Sequence, residues 1–311
     1  MAASPQPSFR QHDVFSRFKP FTGEIPAHFA VDFLGTKIRR EFIAGMPTQP
    51  VNTHTDGFYP IFDEEYIEWI DLLESIVEAS GSYTMIELGA GFGRWAAKAG
   101  RAVEQYNPQL PYQLIAVEAE PKAFEWMGLH FADNGIDARR HSLINAAISD
   151  SEEAALFYIG GPIGSQFDCR RDAWYGHSLT KDYDVAGKSE PAGSYQGFQV
   201  LRHQSGWRSI RVPGVTLSGI LKDLNRVDLV DMDIEGHELK VIASSIEELD
   251  AKVKRLHIGT HSKEIESALR QLLAAPRWRC HADYTLFSAS ETPWGTIQFQ
   301  NGVQSWVNPR F

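Results

Sequence analysis

The chain has 311 residues, and its 30 Lys and Arg against 40 Asp and Glu give a formal net charge of −10. This length suggests one large domain or a domain with an arm. With 43% hydrophobic and 12% aromatic residues, the chain can bury a core. The acidic balance argues against nucleic acid or an anionic membrane as the main partner, because both attract basic surfaces.

Other global features predict the compartment. The two cysteines, Cys169 and Cys280, have no metal-ligand spacing, and a secreted disulfide framework would use more of them. The N-terminus lacks the basic and apolar regions of a signal peptide, and no stretch approaches the roughly 20 apolar residues of a membrane span. We therefore expect a soluble, cytoplasmic protein, and homo-oligomer formation stays open.

Residues 1–60 are irregular in pattern, with recurring proline and glycine between aromatic side chains. Disordered tails are poor in aromatic residues, so this segment is predicted to be an arm packed on the main body. A short helix is expected near Gly35–Phe42.

From Asp63 onward the hydrophobic pattern predicts alternating helices and strands, which is typical of a mostly parallel sheet with helices on both faces. The predicted elements are a helix from Asp63 that ends before Gly81, strand Tyr83–Leu88, helix Arg94–Tyr106, strand Gln113–Glu118, helix Lys122–Asn134, strand Leu143–Ile148, helix Thr216–Leu224, strand Val227–Ile234, helix Glu238–Leu249, strand Arg255–Gly259 and helix Ser262–Leu273.

Two segments depart from this alternation. Near the C-terminus, a strand is predicted over 284–287, and Asn301-Gly302 favours an antiparallel hairpin between Gly295–Gln300 and Val303–Val307. Residues 151–215 form a long glycine-rich insertion, and long loops within compact domains tend to be functional. We expect this insertion on the substrate side.

A glycine loop between the first strand and its helix is the sharpest signal. It contains Glu87, Gly89, Gly91 and Gly93, and glycines there let the backbone approach a ligand. A dinucleotide loop needs a third glycine or an alanine where this chain has Arg94, which disfavours a NAD oxidoreductase. A Walker A loop needs Gly-Lys-Ser/Thr, which is absent.

An acidic residue, Glu118, ends the second strand, where a carboxylate can accept hydrogen bonds from both ribose hydroxyls. The form Glu87-x-Gly89-x-Gly91-x-Gly93, followed by Glu118, resembles motif I and the next strand of class I S-adenosylmethionine (SAM) methyltransferases. That resemblance implies that Glu87 supports the loop or the amino group of SAM.

Three further runs narrow the resemblance: Val117-Glu-Ala-Glu-Pro, Asn145-Ala-Ala-Ile-Ser-Asp and Asp233-Ile-Glu-Gly-His-Glu. Over roughly residues 83–275 the chain resembles FkbM-type methyltransferases, which implies a Rossmann-like class I methyltransferase fold and O-methylation of sugar or natural-product hydroxyls. By this resemblance Asn145 and Ala146 lie near adenine. The chain departs from the family at Asp231, where lysine is usual, and at His237, where a small residue is commoner.

Polar residues also end the fourth and fifth strands. Asp233, Glu235, His237 and His261 are expected to converge at the carboxyl edge of the sheet, where α/β sites open. An alcohol must lose its proton during methylation, so a base, with His261 or Asp233 first, or a divalent cation would help. Asp233 and His261 are the candidate metal ligands, with Mg²⁺ set against Mn²⁺ or Zn²⁺. The alternative is a solvated rim.

Two further segments are candidates for substrate contacts. The insertion contains Tyr175, His177 and Ser178, which resemble a substrate-side loop of the same family. In the arm, His54 and Tyr59 belong to a polar cluster that could close over the cofactor as a lid. The alternatives are a surface turn and a packed arm.

The sequence therefore predicts a methyltransferase domain over residues 61–311, with the arm over 1–60. The expected reaction is SAM-dependent O-methylation of a sugar, glycan or other polyhydroxylated small molecule. An N-methyltransferase and a SAM-binding scaffold without turnover are the alternatives.

Overall fold

A computed structural model describes residues 11–43, 45–47, 51–162, 165 and 177–311. Its strands are β1 (Gly23–Ile25), β2 (Phe29–Val31), β3 (Lys37–Arg39), β4 (Thr53–Thr55), β5 (Tyr83–Leu88), β6 (Tyr112–Glu118), β7 (Ser142–Asn145), β8 (Ala147–Ser149), β9 (Ala155–Gly160), β10 (Ser189–Tyr195), β11 (Phe198–His203), β12 (Arg208–Val212), β13 (Gly214–Thr216), β14 (Leu229–Met232), β15 (Arg255–Thr260), β16 (Arg279–Tyr284), β17 (Ser288–Thr292), β18 (Gly295–Phe299) and β19 (Gly302–Val307).

The α-helices are α1 (Glu65–Val77), α2 (Arg94–Tyr106), α3 (Pro121–Asp133), α4 (Asp182–Ala186), α5 (Leu217–Leu221), α6 (Glu238–Ser244), α7 (Ile246–Lys252) and α8 (Lys263–Ala274). Short 3₁₀ turns cover Asp13–Arg17, Arg40–Phe42 and Ala138–Arg140. Within the described ranges, no helix is both long and apolar enough to cross a membrane.

The central sheet has seven strands in the order β16-β19-β15-β14-β5-β6-β7. Neighbours from β15 to β7 are parallel, whereas β19 pairs antiparallel with both β15 and β16. This mostly parallel sheet confirms the predicted Rossmann-like, class I methyltransferase type of α/β fold.

Helices cover both faces of the sheet, because alternate strand residues point to opposite sides. Met85 and Leu114 pack with α1 and α2 on one face, whereas Ile86 and Ile115 pack with α5 to α8 on the other. The central strands therefore carry apolar residues on both faces, as expected for a buried parallel sheet, although Glu87, Asp231 and His257 interrupt this pattern.

Several predicted elements have other boundaries. The predicted strand Leu143–Ile148 is divided, because β7 joins the central sheet whereas β8 pairs with β13. The predicted helix Glu238–Leu249 is broken at Ser245, which ends α6 and precedes α7. The hydroxyl of Ser245 accepts a hydrogen bond from the Ser218 amide at 3.0 Å.

The C-terminal hairpin is confirmed, but its strands are β17 and β18. The predicted pairing of Gly295–Gln300 with Val303–Val307 is wrong, since β19 inserts between β15 and β16 instead. Glu64 anchors the turn between β18 and β19 by accepting hydrogen bonds from the amides of Gln300 (2.7 Å) and Asn301 (3.2 Å). The predicted strand at 284–287 is also wrong, because β16 ends at Tyr284.

The segment between β8 and β13 forms a separate antiparallel sheet in the order β10-β11-β12-β9. In the N-terminal region, Phe15, Phe33 and Phe42 are buried, and Gly35–Phe42 contains β3 and a 3₁₀ turn instead of a regular helix. Phe15 and Phe33 pack into the same core cluster as α1, so these arm aromatics contribute to the core.

Candidate functional site

The glycine loop connects β5 to α2 through three residues with positive φ: Gly89 (78°), Gly91 (54°) and Gly93 (71°). A Cβ at Gly89 would collide with the carbonyl oxygen of Asp233 at the end of β14, and a Cβ at Gly93 would lie 2.7 Å from Met127 Cγ. A larger residue is therefore disfavoured at both glycines for two reasons, the left-handed backbone and the lack of space for a side chain.

Two buried carboxylates hold this loop in place. Glu87 accepts hydrogen bonds from the amides of Trp95 (2.9 Å) and Ala96 (2.8 Å) in the first turn of α2. Glu118 accepts them from the amides of Gly91 (2.6 Å) and Glu120 (2.7 Å). Burial raises the pKa of both Glu87 and Glu118 to about 8, and Asp231 adds to the effect at Glu87.

A cavity of about 210 Å³, here called the cofactor cavity, opens beside the loop. Its walls include Gly91 and Glu118 on the loop side and apolar groups opposite; the lining residues are Gly89, Gly91, Arg94, Val117, Glu118, Ala119, Ala146, Ala147, Ile148, Phe157, His177, Leu179, Asp233, Ile234 and Glu235. Asn145 supports the wall by donating a hydrogen bond to the Glu118 carbonyl at 2.8 Å.

This lining fits SAM. Glu118 keeps unused lone pairs that can accept hydrogen bonds from ribose hydroxyls, although both of its oxygens already bind backbone amides. Phe157, Ile148 and Leu179 offer an apolar surface for a planar base. Phe157 and Leu179 were not expected from the sequence, because they come from the insertion, whose strands carry no cofactor motif.

The substrate candidates of the insertion differ in position. His177 lines the cofactor cavity, burial lowers its pKa to about 4, and its Nδ1 has no hydrogen-bond partner within the described residues. Ser178 is buried and donates its hydroxyl to the Leu179 carbonyl. Tyr175 lies outside the described residues. Roles for these residues in substrate binding stay predictions.

At the carboxyl edge of β14 and β15, His261 lies within a group of carboxylates, here called the rim cluster (Asp233, Glu235, Glu238 and His261). His261 Nε2 lies 3.2 Å from Asp233 Oδ1 and 3.4 Å from Glu235 Oε2, and its Nδ1 lies 2.7 Å from Glu238 Oε1. Glu235 has a φ of 55°, which is uncommon for a residue other than glycine.

The rim cluster has unusual proton affinities. Burial alone would lower the pKa of His261, but its interactions with Asp233 and Glu238 raise it to about 11. Burial raises the pKa of Glu235 to about 7, although the charge of His261 opposes this rise. His261 is therefore a cation at neutral pH, and Glu235 is the carboxyl that titrates near neutrality.

The remaining candidates lie apart from this cluster. His237 is the N-cap residue of α6, and burial lowers its pKa. His54 is exposed on β4 and pairs with Glu24 at 3.0 Å. Tyr59 packs its ring near Phe15. In the part of the chain that the structure describes, none of His237, His54 and Tyr59 lines the cofactor cavity or the adjoining one.

That adjoining cavity, here called the acceptor cavity, has a volume of about 160 Å³. It is rich in carboxylates and is lined by Glu64, Glu65, Glu68, Glu87, Leu88, Gly89, Ala90, Arg94, Trp95, Asp231, Met232, Asp233, His257, Gly259, Asn301, Gly302 and Val303. Gly89, Arg94 and Asp233 line both cavities. The two cavities therefore meet at the end of β14.

The sequence did not predict the α1 side of the acceptor cavity. Glu68 lies in the predicted helix that begins at Asp63, and His257 lies in the predicted strand Arg255–Gly259, but neither was a predicted site residue. His257 is buried and also borders the acceptor cavity. A histidine between the apolar residues Leu256 and Ile258 was the available signal.

The family follows from a comparison with family models. The model of the FkbM methyltransferase domain matches residues 87–275. The chain belongs to this family. As a methyltransferase of this family, it is expected to use SAM, and the cofactor cavity described above fits that molecule.

The chain is also similar to individual proteins and solved structures. The chain is 28% identical over 259 residues to a protein from Jannaschia sp. (strain CCS1) that is provisionally named a methyltransferase, covering 81% of this chain and 82% of that protein. A solved FkbM methyltransferase from Methylobacillus flagellatus KT has 12% identity and a TM-score of 0.41, covering 74% of this chain and 44% of that one. A precorrin-6y C5,15-methyltransferase from Geobacter metallireducens GS-15 has 12% identity and a TM-score of 0.40, covering 79% and 89%.

Proposed function

We propose that this methyltransferase moves the methyl group of SAM to a hydroxyl of a sugar, glycan or other polyhydroxylated small molecule. One observation carries the proposal: Asp233 lines both cavities and lies 3.2 Å from His261, so an acid–histidine pair borders the junction of the two cavities. The carboxylates of the acceptor cavity can accept several hydroxyl hydrogen bonds at once.

The cofactor supplies an electrophilic methyl group, and the chain supplies position. In our proposal Glu118 binds the ribose hydroxyls, Gly89 and Gly91 give the amino-acid part room, and the apolar wall around Phe157 holds the base. Glu87 acts through the loop, because both of its oxygens accept amides of α2. Correct placement of two reactants alone can lower the barrier greatly.

The acceptor proton then needs a base. His261 is cationic while its carboxylate partners hold it, which weighs against the direct base role expected from the sequence. We assign the proton to Glu235 or Asp233, with His261 as the residue that positions both carboxylates. A group whose pKa lies near 7, as that of Glu235 does, suits general base catalysis.

A divalent cation at the rim cluster is the alternative form of this proposal. Asp233, Glu235 and His261 can each offer one ligand atom, and these atoms lie within 4.8 Å of one another. Such an ion would lower the pKa of a bound hydroxyl. Full turnover in excess chelator, after dialysis, would show that no ion is needed and would favour the carboxylate base.

A second candidate is N-methylation of a cationic amine. The acidic lining of the acceptor cavity favours it, because six carboxyl side chains border the cavity: Glu64, Glu65, Glu68, Glu87, Asp231 and Asp233. A neutral amine is already nucleophilic and needs no base during methyl transfer, whereas an alcohol must be deprotonated as it reacts. Substitution of Glu235 would therefore lower turnover less with an amine than with an alcohol.

The test is release of S-adenosylhomocysteine from SAM with two acceptor panels, polyols and sugars in one and primary or secondary amines in the other. We expect turnover with members of the first panel and a large loss in Glu235→Gln. Turnover with amines alone would show that the enzyme is an N-methyltransferase and not an O-methyltransferase. SAM binding without turnover in either panel would favour the scaffold. The cytoplasmic location and the oligomeric state stay predictions.

A further inference from the structure

A second group of ligand-type side chains lies in the acceptor cavity, apart from the rim cluster. Glu68 of α1, Asp231 of β14 and His257 of β15 can each offer one oxygen or nitrogen, and these atoms lie within 4.8 Å of one another. All three residues line the cavity. We call them the inner cluster.

Strand register explains why they meet. In the central sheet Asp231 is the register partner of His257 on β15 and of Glu87 on β5. Partners in register share a face of the sheet, so these side chains form a row. Helix α1 contacts both β14 and β15 and brings Glu68 to this row. Glu87 is already occupied by the amides of α2.

His257 is held in a fixed orientation. Its Nδ1 lies 2.7 Å from Asp71 Oδ2, and Asp71 Oδ1 accepts hydrogen bonds from Arg255 (2.8 Å) and Ser305 (2.7 Å). Because a carboxylate accepts, this contact places a proton on Nδ1. Nε2 is then the ring nitrogen that can bind a metal ion after releasing its own proton, and a carboxylate behind the ring is common at metal-binding histidines.

The two carboxyl groups of the inner cluster share a hydrogen bond with each other, but neither has a Lys or Arg partner among the described residues. Asp231 is only 4% exposed, and its Oδ1 has no hydrogen-bond partner in the described part of the chain. Across residues 11–43, 45–47, 51–162, 165 and 177–311, no ion pair within 4.0 Å involves Glu68 or Asp231.

The two cationic side chains near the inner cluster, Arg94 and Lys98, interact with other groups. Arg94 donates a hydrogen bond to Glu65 at 2.6 Å, and the Lys98 ammonium lies 3.3 Å from the ring centre of Trp95. A buried carboxylate is stable only when it is paired, protonated or bound to a metal.

We propose that Glu68, Asp231 and His257 bind a divalent transition-metal ion in the acceptor cavity. Two carboxylate oxygens and one imidazole nitrogen favour Mn²⁺ or Zn²⁺ over Mg²⁺, which prefers oxygen ligands alone. Three protein ligands leave coordination positions open toward the cavity for water or an acceptor oxygen. This ion site is distinct from the one that the sequence suggested at Asp233 and His261.

The experiment is a titration of metal-free full-length protein with Mn²⁺ alone, in which free Mn²⁺ is followed by electron paramagnetic resonance. Neither SAM nor an acceptor is present, so the result does not depend on the proposed methyl transfer. We expect saturable binding that Glu68→Gln and Asp231→Asn each weaken by about 100-fold or more. Loss of a mere second-sphere partner already costs about 10–100-fold.

Two control variants separate the inner cluster from its surroundings. Glu64→Gln removes a carboxylate from the same cavity but outside the ligand group, and Asp233→Asn removes one from the rim cluster. Each should retain the ion that Glu68→Gln loses. Circular dichroism of each variant confirms folding, and Glu68 is only half-buried, which makes its substitution the milder one.

Two results would overturn the site. One is the absence of saturable Mn²⁺ binding to the wild-type protein. The other is an equal loss in Glu68→Gln and in either control, which would show a general acidic field or binding at the rim cluster.

Discussion

Buried carboxylates in two regions of the site have different partners. At the glycine loop, Glu87 and Glu118 accept hydrogen bonds from backbone amides. At the histidines of β15 and of the loop that follows it, Asp71 of α1 and Glu238 of α6 pair with the ring nitrogens of His257 and His261. The same side-chain type thus fixes a loop in one region and sets the orientation and charge of an imidazole in the other.

The difference has a chemical consequence. A carboxylate that accepts a backbone amide is satisfied with or without ligand, so the cofactor loop is formed in advance. A carboxylate next to a histidine shares a protonation equilibrium with it and can bind a metal ion together with it, so we expect the histidine region to respond to pH and to cations. Substitutions in the two regions should therefore change different measured quantities.

The largest effect is expected at Gly89. Gly89 and Gly81 both have left-handed φ, 78° and 80°, but a Cβ at Gly89 meets the Asp233 carbonyl, whereas one at Gly81 meets nothing within 4 Å. Gly89→Ala should abolish calorimetric SAM binding. Gly81→Ala should cost only about 1–2 kcal/mol of stability, the strain of a left-handed residue. Equal SAM affinity in the two variants would show that SAM binds at another place in the protein.

Turnover should depend most on the rim cluster. Glu235→Gln and Asp233→Asn are each expected to lower kcat by about 10²–10⁴, with SAM affinity unchanged. Glu247→Gln, an exposed carboxylate on α7, is the control. Normal turnover in both rim variants would show that the base lies elsewhere.

The pH profile tests the same base. Burial raises the pKa of Glu235 to about 7, so its basic form is lost, and kcat should fall, as the pH drops through about 7. The charge of His261 opposes that rise, so His261→Ala should shift the profile to higher pH. A pH-independent kcat between pH 6 and 8 in the wild-type enzyme would contradict a carboxyl base.

A smaller effect is expected at Glu118. Glu118→Gln keeps the size of the side chain. Above pH 8, where Glu118 is ionised, it removes the charge that accepts the Gly91 amide and, in our proposal, the ribose hydroxyls. SAM affinity should fall by about 1.5–3 kcal/mol, the range for hydrogen bonds to a charged group, as measured by calorimetry. If Glu118→Gln changed only the acceptor KM, the result would indicate that the acceptor, and not SAM, binds in the cavity lined by Glu118.

The smallest effect is expected at His177. Burial lowers its pKa to about 4, so it contacts the cofactor cavity as a neutral ring. His177→Ala should weaken SAM binding by about 0.5–1.5 kcal/mol, as for one neutral hydrogen bond, and leave the acceptor KM unchanged. The reverse pattern would support the substrate role predicted from the sequence.

The sequence alone predicted the elements that local signals define. Strand Tyr83–Leu88 and helix Arg94–Tyr106 agree with the structure residue by residue, because a buried apolar run, a glycine loop and an Ala-rich helix follow one another. The convergence of Asp233, Glu235 and His261 was also predictable, since the carboxyl ends of parallel strands meet at one edge.

Long-range pairing decided the rest. The Asn301-Gly302 turn signal is local, but β19 gains two neighbours by inserting between β15 and β16, which a hairpin with β18 would not provide. The insertion forms its own sheet and delivers Phe157 to the cofactor cavity. No single stretch of sequence specifies such contacts.

The inner cluster shows most clearly which features the sequence determines and which depend on the tertiary structure. Polar residues at Asp231 and His257 were visible in the sequence, but their register across β14 and β15, and the arrival of Glu68 from α1, exist only in the folded sheet. The charge of each group depends equally on the fold, because burial and neighbouring charges set a pKa and neither can be read from chain order. The sequence therefore determined which chemical groups this methyltransferase has, and the tertiary structure decided which of them meet and in what state of protonation.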